Sequence, residues 1–127
     1  MKREIVESKN APVPVGPYSQ AVRAGNLVYV SGQIAIHPET GEISEDFGDQ
    51  CHQVLKNLEA ILEASGSSLE QTVKVMIYLT DINHYKELND IYEEYFGSAK
   101  PARSCVEVSN LPKGFALELD AVGLVAE

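Results

Sequence analysis

Residues Leu27 to Ile36 are apolar on both alternating faces, with Leu27 and Tyr29 on one side and Val28, Val30 and Ile34 on the other. Successive side chains of a strand point to opposite faces, so such a strand has to be covered on both. Two segments with helical periodicity can supply cover. From Asp46 to Ala64, the residues Phe47, Cys51, Val54, Leu55, Leu58, Ile61 and Leu62 fall on one stripe, and Gly66 ends it. From His84 to Phe96, the stripe is Leu88, Ile91, Tyr92, Tyr95 and Phe96, with Asp81 or Asn83 placed to cap it and Gly97 to close it. The other strands fall at residues 3–6, after Pro17 to Arg23, at Val73 to Thr80, across Arg103 to Val108, and at Phe115 to Val122. Gly25-Asn26 marks a tight turn before Leu27. The predicted order is β-β-β-α-β-α-β-β, in one α+β domain over residues 1–127. Its six-stranded mixed sheet carries two helices packed on one face. Two helices leave the other face open, although it too carries apolar residues. Another copy of the chain is the simplest cover, which predicts a homo-oligomer.

Charge narrows the partners. The 127 residues hold 19 Asp and Glu against 10 Lys and Arg, a net charge of −9. Binding to phosphate backbones rests on clustered Lys and Arg, and no basic run is present, so nucleic acid is not expected as a partner. No apolar run approaches the ~20 residues of a membrane span. The start, Met1 to Glu7, lacks the apolar segment of a signal peptide, which suggests a cytoplasmic protein. Cys51 and Cys105 have no paired spacing, and His37, His52 and His84 are scattered, so neither a disulfide framework nor a metal site is expected.

The chemistry concentrates near the C-terminus. In Pro101-Ala102-Arg103-Ser104-Cys105-Val106-Glu107-Val108, alternation puts Arg103, Cys105 and Glu107 on one face. In the following strand, Ala116, Glu118, Asp120 and Val122 share a face. The turn residues Asn110-Leu111-Pro112-Lys113-Gly114 suit a hairpin. If it closes symmetrically, Cys105 is opposite Glu118 and Arg103 opposite Asp120. A planar guanidinium would then lie near a carboxylate, one to bind an anion and the other to move protons.

These features together resemble one family. Gly16-Pro17-Tyr18, Ser31-Gly32-Gln33, Asn89-Asp90-Ile91-Tyr92, the Pro101–Val108 block, Leu111-Pro112-Lys113 and Glu118 are similar to the RidA/YjgF family of reactive intermediate deaminases, in order along nearly the whole chain. The resemblance implies a chorismate-mutase-like fold, a homotrimer with active sites between subunits, and no metal or organic cofactor. It implies hydrolysis of short 2-imino acids, such as 2-iminobutanoate and 2-iminopropanoate, to 2-keto acids and ammonia. Such imines leak from pyridoxal-phosphate dehydratases acting on threonine and serine. The implied site comprises Tyr18, Ser31, Gly32, Asn89, Arg103, Cys105 and Glu118. Ala35 stands where many members have proline.

Each residue has a plainer reading. Arg103 either clamps a substrate carboxylate or pairs with Glu107 or Asp120 on the surface. Glu118 either orients water and shuttles protons or simply faces solvent. Cys105 lacks a histidine partner for nucleophilic chemistry and reads as a polarisable wall of the site, while Cys51 reads as core. Tyr18 is either a packed aromatic or a phenol that closes over the substrate. The Ser31 hydroxyl either binds substrate or satisfies the backbone, beside a Gly32 that permits close approach. Asn89, unfavourable in mid-helix, has a polar task at a subunit contact or in the cleft. Two other functions compete with a deaminase: a non-catalytic binder of 2-keto acids, and an endoribonuclease that inhibits translation.

Overall fold

A computed structural model describes residues 2–126. The strands are β1 (Arg3–Val6), β2 (Ala21–Ala24), β3 (Leu27–Gln33), β4 (Thr72–Leu79), β5 (Ala102–Glu107) and β6 (Leu117–Leu124), and the helices are α1 (Phe47–Ala64) and α2 (Tyr85–Phe96). They form the expected β-β-β-α-β-α-β-β α+β domain with one six-stranded mixed sheet, in the order β1-β2-β3-β6-β4-β5.

α1 follows from its stripe. All seven apolar positions predicted from the sequence are buried, and each fully buried Leu or Ile contributes about 1.5–3 kcal/mol. Asp46 caps the helix by accepting a hydrogen bond from the Asp49 N–H at 2.9 Å. At the other end Gly66 takes φ 84°, and the Ser67 N–H returns to the Leu62 carbonyl at 2.8 Å. Two polar residues on the buried side also have partners. Asn57 donates to the carbonyls of Ile34 and Ile36, and Gln50 donates to Ser44 and accepts from the Ala116 N–H. These bonds fix the chain where it leaves β3 and where it enters β6.

Only β4 and β5 run parallel; the other pairings are antiparallel. The helix-side face is built from Val28, Val30, Val75, Ile77, Leu79, Leu117, Leu119 and Ala121, all buried. The other face presents Tyr29, Met76, Tyr78 and Val122, none of them buried.

The expected β5–β6 hairpin does not form. β4 lies between the two strands, paired with both. The turn chemistry of residues 110–114 is nonetheless real. Pro112–Gly114 is a 3₁₀ turn with Lys113 at φ 59° and Gly114 at φ 73°. It carries the chain across the end of β4 instead of reversing it onto β5. Cys105 therefore pairs with Ile77, and Arg103 with Val75, rather than with Glu118 and Asp120.

Candidate active site

The register places the candidate residues in two groups. Val75 pairs with both Arg103 and Ala121, and Ile77 with both Cys105 and Leu119. Arg103 and Cys105 therefore share the helix-side face at the β5 edge. Tyr78 pairs with Glu118, and Met76 with Asp120, so both carboxylates lie on the opposite face. Within one chain the sheet separates Arg103 from Glu118.

α2 surrounds the arginine. Tyr85, Asn89 and Tyr92 are four and three residues apart and share one helix face. Arg103 Nη2 donates to the Tyr85 hydroxyl at 2.8 Å. Its guanidinium carbon lies 4.8 Å from the Tyr92 ring centre and 5.6 Å from that of Tyr85. Contacts of this type contribute about 0.5–1 kcal/mol at exposed sites. The two acids that the sequence offers as its partners are engaged elsewhere. Glu107 accepts from the Ile82 N–H at 2.9 Å, and Asp120 from the Tyr78 hydroxyl at 3.0 Å. Among the described residues the one ion pair is Lys86–Asp90. Arg103 thus keeps its charge free, held in place by aromatic rings. It opens onto a cleft lined by Ile82, Tyr85, Arg103 and Cys105. Asn89 Oδ1 and the Tyr92 hydroxyl are buried without hydrogen-bond partners beside it.

Cys105 is a wall residue. Burial raises its thiol pKa, opposed by the Arg103 charge, so the group stays protonated and a poor nucleophile. Cys51 is fully buried in the core, its thiol pKa pushed up to about 12 mainly by that burial.

On the far face, Glu118 lies over Gly32. Burial first, and the neighbouring Asp120 second, raise its carboxyl above the ordinary range. Gly32 is what admits it. A Cβ at Gly32 would meet the carboxylate, 2.7 Å from Glu118 Cδ. Gly32→Ala is expected to displace the far end of a flexible side chain and leave the fold intact. In a reaction that uses this carboxylate, a displacement of about 1 Å can cost ~10²-fold in rate. The check is kcat/KM together with the thermal midpoint: kcat/KM should fall and the midpoint should hold.

Tyr18 is half exposed and lines a small cavity with Gly32. Its loop is pinned by Ser31 of β3 and by Gln20. The Ser31 hydroxyl donates to the Ser19 carbonyl at 2.6 Å, and the Ser31 N–H donates to the Gln20 carbonyl at 2.9 Å. Ser31 therefore satisfies the backbone and shapes the loop. The Gln20 side chain donates to the carbonyls of Ser8, Ala11 and Pro12 and accepts from the Ser8 N–H.

Tyr85, Tyr92 and Gln20 were not among the site residues read from sequence. Periodicity alone places Tyr92 on the buried stripe of α2. The signal available for the tyrosines was a polar Asn89 flanked at −4 and +3 by phenols on an otherwise apolar face. Among the described residues no three of His, Cys, Asp or Glu stand close enough to hold a metal ion, and no helix is long and apolar enough to cross a membrane.

Known proteins carry the same architecture. The family model described as Endoribonuclease L-PSP matches residues 8–125. A RutC family protein of Pyrococcus horikoshii is 52% identical over 121 residues, covering 94% of this chain and 96% of its own. The chloroplastic Reactive Intermediate Deaminase A of Arabidopsis thaliana is 44% identical over 123 residues, covering 96% of this chain and 66% of its own. The crystal structure of Escherichia coli TdcF with bound serine superimposes with a TM-score of 0.92 at 39% identity, over 97% of this chain and 99% of that one. The chain therefore belongs to the RutC/YjgF/RidA family, whose family model carries the description Endoribonuclease L-PSP.

Proposed function

We propose that this chain hydrolyses short 2-imino acids to 2-keto acids and ammonia, in sites assembled between copies of a homotrimer. The observation that carries the reading is Arg103: a guanidinium without a carboxylate partner, held by Tyr85 and Tyr92 and open to a cleft. A fork of this kind suits a carboxylate. The name of the Arabidopsis relative and the serine bound to TdcF agree with a small amino-acid-like ligand. The open sheet face, with Tyr29 half exposed, favours association with further copies, which would bring a neighbour's Glu118 toward Arg103.

The chemistry asks little of the protein. Arg103 holds the substrate carboxylate. Water adds to the carbon of the N-protonated imine, and the resulting carbinolamine loses ammonia as its C–N bond breaks, its hydroxyl proton passes to Glu118 and a C=O bond forms. Glu118 takes a proton from the attacking water and returns one to the departing nitrogen, and its raised pKa suits it to both tasks. Cys105, Gly32 and Tyr18 shape the walls, and Asn89 supports the Arg103 side of the cleft.

The family description raises RNA as another substrate. The net charge of −9 argues against it. The test is a competition assay: a threonine dehydratase generates the imine while semicarbazide traps it. The wild-type chain is expected to suppress semicarbazone formation, and Arg103→Ala to leave it unchanged. If micromolar wild-type protein has no effect, the reading fails. RNA binding that weakens steeply with salt would then favour the nuclease.

A further inference from the structure

We propose that Tyr85 makes this site favour 2-imino acids that carry a hydroxyl on their third carbon. The inference rests on the deaminase reading above and assigns a specificity to it. Tyr85 opens α2 and is 40% exposed at the cleft. Its oxygen accepts from Arg103 Nη2, and a phenol that accepts a hydrogen bond still has its own O–H to donate. Among the described residues no acceptor takes that proton. The Asn89 amide first, and the Arg103 charge second, hold the phenol below its ordinary range. Tyr85 lines the cleft directly, so an acceptor on a ligand bound there can take this proton.

Geometry limits what it can reach there. The two N–H bonds of one guanidinium nitrogen diverge by about 120°, so acceptors at ordinary hydrogen-bond lengths are about 5 Å apart. A carboxylate oxygen on the other N–H of Nη2 is therefore out of reach of the Tyr85 hydroxyl. An oxygen on the third carbon of the same molecule, four bonds from that carboxylate oxygen, can bridge the gap. The iminium nitrogen carries only protons and cannot accept. The other cleft residues, Ile82 and Cys105, offer little polarity. On the Arg103 side of the site, Tyr85 therefore supplies the polar contact able to tell a hydroxymethyl group from an ethyl group of the same size.

The test uses that pair. An amino-acid oxidase converts serine and 2-aminobutyrate to 3-hydroxy-2-iminopropanoate and 2-iminobutanoate, with the semicarbazide readout. Tyr85→Phe is expected to lower the hydroxymethyl-to-ethyl ratio of kcat/KM about 3- to 10-fold, the range of one neutral hydrogen bond. A ratio that does not change, even if both rates fall together, overturns the proposal, because Tyr85 would then act only by placing Arg103. Calorimetric titration with 3-hydroxy-2-oxopropanoate and 2-oxobutanoate reads the same contact without turnover. If the wild type hydrolyses neither imine, the deaminase reading fails on its own, and the Kd ratio of these keto acids in wild type and variant still decides the role of Tyr85.

Discussion

A co-refolded equal mixture of Arg103→Ala and Glu118→Gln chains is expected to regain about one quarter of wild-type activity, although each variant alone is nearly inactive. The expectation comes from the sheet. Arg103 lies on the helix side with Val75, and Glu118 on the open side with Tyr78. A site that uses both must draw them from different chains. Truncating Arg103 removes two charged hydrogen bonds to a carboxylate, at about 1.5–3 kcal/mol each, a loss of roughly 10² to 10⁴ in kcat/KM. In random association, a site has an intact Arg103 half the time and an intact neighbouring Glu118 half the time. About one site in four then has both, whatever the number of subunits in the closed ring. Activity per site after co-refolding, measured with the imine trap, is the check. A mixture no more active than the average of the two variants would rule out a shared site.

Much of this arrangement could be read from residue patterns, and the failures have a common cause. The α1 stripe needed only local periodicity, and every predicted position is buried. Alternation within β5 placed Arg103 and Cys105 together, and alternation within β6 placed Glu118 with Asp120. Periodicity says which residues share a face of their own strand. It does not say which strand lies beside which. That depends on β4, which comes earlier in the chain and inserts between the last two strands because α2 returns the chain parallel to it. The segment 110–114 carried true turn signals, yet a turn fixes a change of direction rather than a neighbour. The aromatic setting of Arg103 was hidden for a similar reason: phenols on an amphipathic helix look like core until the strand edge beside them is known. Ser31 was undecided from sequence because its partner, the Ser19 carbonyl, belongs to a loop without periodicity.

Glu118→Gln is expected to lower kcat/KM by about 10² to 10⁴, the usual value of positioned proton transfer, while making the fold of the single chain slightly more stable at neutral pH. The two effects share an origin. Burial and the Asp120 charge raise the Glu118 pKa in the folded chain, whereas the unfolded chain has the ordinary value of about 4.3. A carboxyl raised by folding favours its protonated form. Its contribution to stability is complete below the unfolded value and is lost as pH rises through the folded one. At pH 7 the ionised carboxylate therefore opposes folding, and a neutral amide of the same shape removes that opposition. The side chain is partly open to solvent in one chain, so screening limits the gain to under about 1 kcal/mol. The advantage of Glu118→Gln should be visible as a higher thermal midpoint of the dissociated chain at pH 7 and should vanish near pH 4. If the variant is instead less stable at pH 7, Glu118 is held by favourable contacts to its ionised form. A carboxylate so held would be a poor donor to the departing nitrogen, and the proton shuttle would have to be assigned to another group.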